Sequence, residues 1–111
     1  MPNTYSQIYI QIVFAVKGRQ NFIIEPIREE LQKYITGIIK ENKQKLYAIY
    51  AMPDHTHLFV SIRPDIAISD LVRNIKSNSS AWLKNKLPAL SQFAWQEGFG
   101  AFSYSKSQVQ L

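Results

Sequence analysis

His55 and His57 are the two histidines of the chain and stand two residues apart. On a β-strand, residues i and i+2 point to the same face, about 6.6 Å apart along the backbone. Two imidazoles so placed can converge on one metal ion, since a neutral imidazole nitrogen is a common ligand of divalent ions. Two ligands are too few for a closed site, so at least one more side chain must come from elsewhere. A bare His-x-His pair has a second reading, a sheet-covering pair with no ligand role. Asp54, next to the pair, reads as a turn residue with a lesser claim to assist the site.

Cations and aromatics form the other chemical set. Lys17 and Arg19 sit in a loop, and Arg73, Lys76 and Lys84 share one face of a predicted helix. All five are candidate contacts to nucleic-acid phosphates, which set affinity and salt sensitivity more than sequence choice. The competing reading for the helix face is simple solvation. Phe99 and Trp95 could stack nucleic-acid bases, although core packing suits Trp95 better.

Strands and helices must position these groups. Ile8, Ile10, Ile12, Phe14 and Val16 alternate with Gln7, Tyr9, Gln11, Val13 and Ala15, the period of a half-buried strand whose even set faces a core. Lys17 to Asn21 closes it. Pro26 suits the first position of a helix, in which Ile27, Leu31, Tyr34, Ile35, Ile38 and Ile39 make one apolar stripe. Leu46–Ala51 reads as a second strand, Met52-Pro53-Asp54 as a connection, and Thr56–Ile62 as a third strand. A second helix is expected from an N-cap at Ser69, with Leu71, Val72, Ile75, Ser79, Trp82 and Leu83 buried and Pro88 beyond its end. A last β segment runs from Phe93 to Tyr104, interrupted at 97–100. The order β-α-β-β-α-β predicts an α+β, ferredoxin-like fold: an antiparallel four-stranded sheet with both helices on one face. Ser105-Lys106-Ser107-Gln108 has the form of a capping box, so a further helix is expected to begin there.

Composition narrows the class. The chain has 111 residues, 46% of them hydrophobic, with six Tyr, six Phe and two Trp. That is one domain's length and enough apolar surface for a core. The net charge is +5 and the pI near 9.6, which suits a polyanionic partner. Cysteine is absent, which excludes disulfides and Cys-based zinc sites. No apolar run reaches the roughly 18 residues of a membrane span, and the N-terminus lacks the pattern of a signal peptide. A cytoplasmic protein without a membrane partner is expected.

The context of the histidines is more specific than the pair. Met52-Pro53-Asp54-His55-Thr56-His57-Leu58-Phe59-Val60 resembles the signature of the HUH nucleases, in particular the single-tyrosine transposases of small bacterial insertion sequences. Thr56 stands where that family usually has an apolar residue. Ile10–Arg19 resembles the family's first strand, with Gln11 where a His is frequent. Ile75–Trp82 resembles its second helix, and Phe93–Ser103 the segment before its catalytic helix. The resemblance covers essentially the whole chain.

The resemblance implies single-strand DNA cleavage and rejoining. A helical tyrosine attacks a phosphodiester and holds the 5′ phosphate covalently, while Mg²⁺ or Mn²⁺ sits on the two histidines and a glutamine of the same helix. It further implies a homodimer acting on single-stranded or hairpin DNA, associated with the nucleoid when bound. In the family, the tyrosine and the glutamine lie a few residues beyond the capping box, whereas this sequence ends at Leu111. The expectation is therefore one transposase-like catalytic domain over residues 1–111, incomplete at its C-terminus and without the nucleophile. Tyr104 is the available substitute, although its place late in a strand favours packing or exposure. The alternatives are an inactive DNA-hairpin-binding remnant or regulator, and an unrelated ferredoxin-like metal- or RNA-binding module.

Overall fold

The computed structural model describes residues 8–104; Tyr5 and the capping-box segment 105–111 lie outside them. Strand β1, Ile8–Ala15, is followed by helix α1, Ile27–Glu41. Strands β2, Lys45–Met52, and β3, His55–Ile62, make a hairpin. Helix α2, Ile68–Lys84, leads through a short turn at Pro88–Leu90 to β4, Gly100–Tyr104. The sheet order is β2-β3-β1-β4 and every pairing is antiparallel. This is the expected ferredoxin-like arrangement.

Alternation in the two central strands divides the sheet. Ile10, Ile12 and Phe14 of β1 and Thr56, Leu58 and Val60 of β3 are buried. They pack with Ile27, Leu31, Ile35 and Ile39 of α1 and Leu71, Val72, Ile75 and Leu83 of α2 in one core. Both helices thus cover the same face. Tyr34 of α1 stacks on Trp82 of α2, ring centroids 4.7 Å apart, so two half-buried rings of the predicted stripes tie the helices together. The opposite, open face carries Gln11, Val13, His55, His57 and Phe59.

Local expectations fail at element ends. Ile8 is 45% exposed, although Ile62 opposite it on β3 is buried. Pro26 precedes α1, which opens at Ile27. Helix α2 begins before Ser69: Ala67 is its N-cap without a side-chain hydrogen bond, and its carbonyl accepts from Asp70 and Leu71 N–H. The segment from Phe93 is no continuous strand. Trp95 makes a single bridge to Val16, and regular pairing starts at Gly100. Trp95 is instead a core ring, packed edge-on against Phe14 and Phe93, with its indole N–H donating to buried Ser79 Oγ at 2.9 Å.

Thr56, between the histidines, is fully buried, and its hydroxyl has no hydrogen-bond partner among the described residues. A buried hydroxyl without a partner is destabilising, and an apolar replacement of the same shape removes that cost. Thr56→Val should raise stability by about 1 kcal/mol, or roughly 4 °C in Tm, measured by thermal unfolding. An unchanged or lowered Tm would contradict this.

Candidate functional site

The histidines belong to one strand and one face, and the register gives them their neighbours. His55 lies opposite Ala15 and His57 opposite Val13 on β1. Their rings meet edge to face, centroids 4.8 Å apart. Both are half-buried and line a cavity of ≈ 430 Å³ with Arg19, Gln96, Glu97 and Phe99.

Each imidazole has a partner that sets its proton. Asp54 Oδ1 lies 2.6 Å from His55 Nδ1. A carboxylate only accepts, so Nδ1 carries the hydrogen and Nε2 keeps a lone pair for a ligand role. Asp54 is held in turn by Arg19, whose Nε–H donates to Oδ2 at 3.0 Å. Hydrogen bonds from His55 and then Arg19 hold the Asp54 carboxyl below the usual carboxylate range. The residue expected to shape a turn therefore orients the site. Arg19, expected to meet phosphate, has one donor committed to Asp54.

His57 Nδ1 stands 3.1 Å from the side-chain nitrogen of Gln11. With that nitrogen donating, His57 carries its hydrogen on Nε2. With the amide turned end for end, its oxygen accepts from Nδ1–H and Nε2 becomes the free donor atom. Gln11 lies opposite Phe59, on the far side of His57 from His55, so it supports His57 from behind rather than completing a ligand set. Burial, and next the neighbouring His55, pushes the His57 pKa below the ordinary histidine value.

Two imidazoles with hydrogen-bonded outer partners suit a divalent ion. Among the described residues no cluster of three or more His, Cys, Asp or Glu could hold a metal. The two imidazoles thus stand without a third His, Cys, Asp or Glu beside them that would complete a metal-holding group among the described residues.

The other candidates spread around it. Lys17 and Arg73 line a groove of ≈ 870 Å³ along α2, which shares Gln96–Phe99 with the histidine cavity. Arg73 also pairs with Asp70. Lys76 lines the same groove, but its ammonium donates to the carbonyls of Gln96 at 2.7 Å and Gly98 at 2.5 Å. Lys84 lines neither cavity. Tyr104 pairs with Tyr9, four residues along β1 from the partner of His57, about 13 Å of strand. Sequence reasoning passed over Tyr50, which lies directly opposite His57 and is 57% exposed. No signal in spacing reveals it, because a bulge between Leu46 and Ala48 sets its register.

The lowered His57 pKa has a signed consequence. In chelator, folded His57 binds fewer protons than an unfolded histidine. Stability must therefore fall as pH drops through about 6.5, and the loss levels off below the folded value. Asp54 acts in a lower window: its contribution is complete above about 3.9 and is lost as pH falls from there through its depressed folded value. Urea denaturation across pH 8 to 3 should show both, with His57→Gln flattening the upper slope and Asp54→Asn the lower. A wild-type profile flat from pH 7.5 to 5 would refute the first.

Comparison with known proteins places the chain. The family model for IS200-like transposases matches residues 4–111. The ISDra2 transposase TnpA of Deinococcus radiodurans is 27% identical over 89 residues, 80% of this chain and 64% of that protein; the match thus spans just under two thirds of the relative's length. A crystal structure of a Deinococcus radiodurans R1 chain described as a transposase superposes with a TM-score of 0.84 at 20% identity, over 97% of this chain and 87% of that one. The REP-associated tyrosine transposase bound to a REP hairpin superposes with a TM-score of 0.71 at 15% identity, over 97% and 63%. These two likenesses confirm the fold, and the family match over nearly the full length settles membership: the chain belongs to the IS200-like transposases.

Proposed function

We propose that this chain is the catalytic body of an HUH-type DNA transposase, which binds single-stranded or hairpin DNA, works as a homodimer and cleaves and rejoins one strand through a 5′-phosphotyrosine. The observation that carries the reading is the pair of imidazoles on the open sheet face, rings 4.8 Å apart, beside a groove lined by Lys17 and Arg73. Family membership supports DNA transposition, and the hairpin held by the REP-associated relative supports the DNA partner. No helix among the described residues is long and apolar enough to cross a membrane, in keeping with a cytoplasmic site of action.

His55 and His57 would hold Mg²⁺ or Mn²⁺, which when bound polarises the scissile phosphate and stabilises developing charge. The chain's own residues do the rest. Asp54 keeps the hydrogen of His55 on Nδ1, and Gln11 selects the tautomer of His57. Arg19 has further guanidinium donors to turn toward a phosphate in the same cavity. The attacking phenol is not supplied from residues 8–104. Tyr104 lies far along the sheet from the histidines, and Tyr50, though in register with His57, is exposed on the edge strand β2.

Two measurements test the proposal. Calorimetric titration with Mn²⁺ should show binding that His55→Ala or His57→Ala abolishes and Asp54→Asn weakens about tenfold. Incubation with single-stranded DNA and Mn²⁺ should retain DNA on a native gel, and any covalent adduct resolved on a denaturing gel should not map to residues 8–104. An adduct lost on Tyr50→Phe or Tyr104→Phe would place the nucleophile within the sheet. Absence of both Mn²⁺ and DNA binding would refute the proposed activity for this member of the family.

A further inference from the structure

Between the bridge at Trp95 and the start of β4, the chain rises as a ridge that walls both the histidine cavity and the α2 groove. Its base is pinned to the end of β1: Lys17 N–H donates to Ala94 O at 2.9 Å and Gln96 N–H to Ala15 O at 2.7 Å. Gly98, at φ +87°, turns the chain through a conformation that a side chain would strain. Phe99 follows, is 38% exposed and lines both cavities.

Lys76 reaches this ridge from α2. Its stem brings the ammonium 6.0 Å from the centroid of the Phe14 ring, and two of its three donors go to the Gln96 and Gly98 carbonyls. Withdrawal from water pushes its pKa below the ordinary lysine value. A lysine used for phosphate would leave its charged end in solvent, as exposed Lys17 does. Here the charge is spent on backbone carbonyls that otherwise have no regular strand partner.

We propose that the Gln96–Phe99 ridge is a base-stacking subsite for single-stranded nucleic acid, with Phe99 as its platform, and that Lys76 is the positioning residue that holds it and not a phosphate ligand. The inference rests on the nucleic-acid reading above. Because residues 96–99 line both cavities, a strand that runs from a phosphate at the histidines into the α2 groove passes its neighbouring bases over this ridge. An exposed ring at that crossing accepts any base, since every base has a π-face. Lys17, in the same groove, takes a flanking phosphate.

Salt dependence separates the roles. Binding of fluorescein-labelled dT12 is followed by anisotropy in EDTA at several salt concentrations, with far-UV circular dichroism and Tm recorded for each variant. Phe99→Ala and Lys76→Met should each weaken binding roughly tenfold at fixed salt and leave the slope of log K against log salt unchanged. Lys17→Met should reduce that slope by about 0.7, one single-strand phosphate. The double variant Lys76→Met/Phe99→Ala should bind no worse than the weaker single variant, because both remove one platform. A slope reduced by about 0.7 in Lys76→Met makes Lys76 a phosphate ligand and overturns the proposal. So does a Phe99→Ala protein within twofold of wild type, or an additive double variant. If Lys76→Met fails to fold, Lys76→Arg replaces it: weakened binding at unchanged slope supports the perch on two carbonyls, and undiminished binding overturns it. In these overturning outcomes wild-type binding persists, so the broader function stands; wild type that does not bind dT12 refutes both.

Discussion

Everything at the open face depends on the register between β1 and β3. Ala15 meets His55 and Val13 meets His57, while the alternate residues Phe14, Thr56, Ile12 and Leu58 turn into the core. A slip of one residue would exchange the two sets. The core decides the matter, since each large apolar side chain of these strands contributes about 1.5–3 kcal/mol by burial. The imidazoles gain nothing comparable from exposure. They are directed to the open face because their neighbours must leave it, and Thr56 is carried inward with its hydroxyl unpartnered as part of the same alternation.

That alternation is the feature most legible in the sequence. A period of two in Ile8–Val16 and in Thr56–Ile62, and a helical period in Ile27–Ile39 and Leu71–Leu83, fix the layers and the face each helix covers. What periodicity cannot show is where an element stops. Ile8 obeys the period but stays exposed. Ser69 is a favoured cap residue worth about 1 kcal/mol, yet the N-cap of α2 lies two residues earlier, at Ala67. Phe93–Trp95 has the composition of a strand, but its rings are recruited by Phe14 and Ser79. Gly98 then breaks the path before pairing resumes.

The histidine pair is equally visible from spacing, and its surroundings are not. Gln11 reaches His57 across 46 residues of sequence, a relation that exists only once β1 and β3 are in register. Tyr50 depends on a finer detail. An unbroken ladder from the Leu46–Val60 pair would set Ile49 opposite His57 and turn Tyr50 toward the helices. The extra residue between Leu46 and Ala48 shifts the register, so that Tyr50 stands opposite His57. A bulge is not written in hydropathy, and its effect on the site is therefore hidden until the strands pair.

Charge is the least transferable quantity between sequence and site. Five cations share the composition expected of a DNA-binding surface, but the fold spends them differently. Lys76 is folded back onto carbonyls, and Arg73 is paired with Asp70. Arg19 commits its Nε to Asp54 yet stays 58% exposed, and a guanidinium has five donors. One group can thus brace the histidine's carboxylate and still offer its fork to a phosphate, which a lysine in the same place could not do. The number of cations accordingly overstates how many are free to meet a phosphate, while the cation most useful beside the histidines is one whose neighbourhood looks already neutralised.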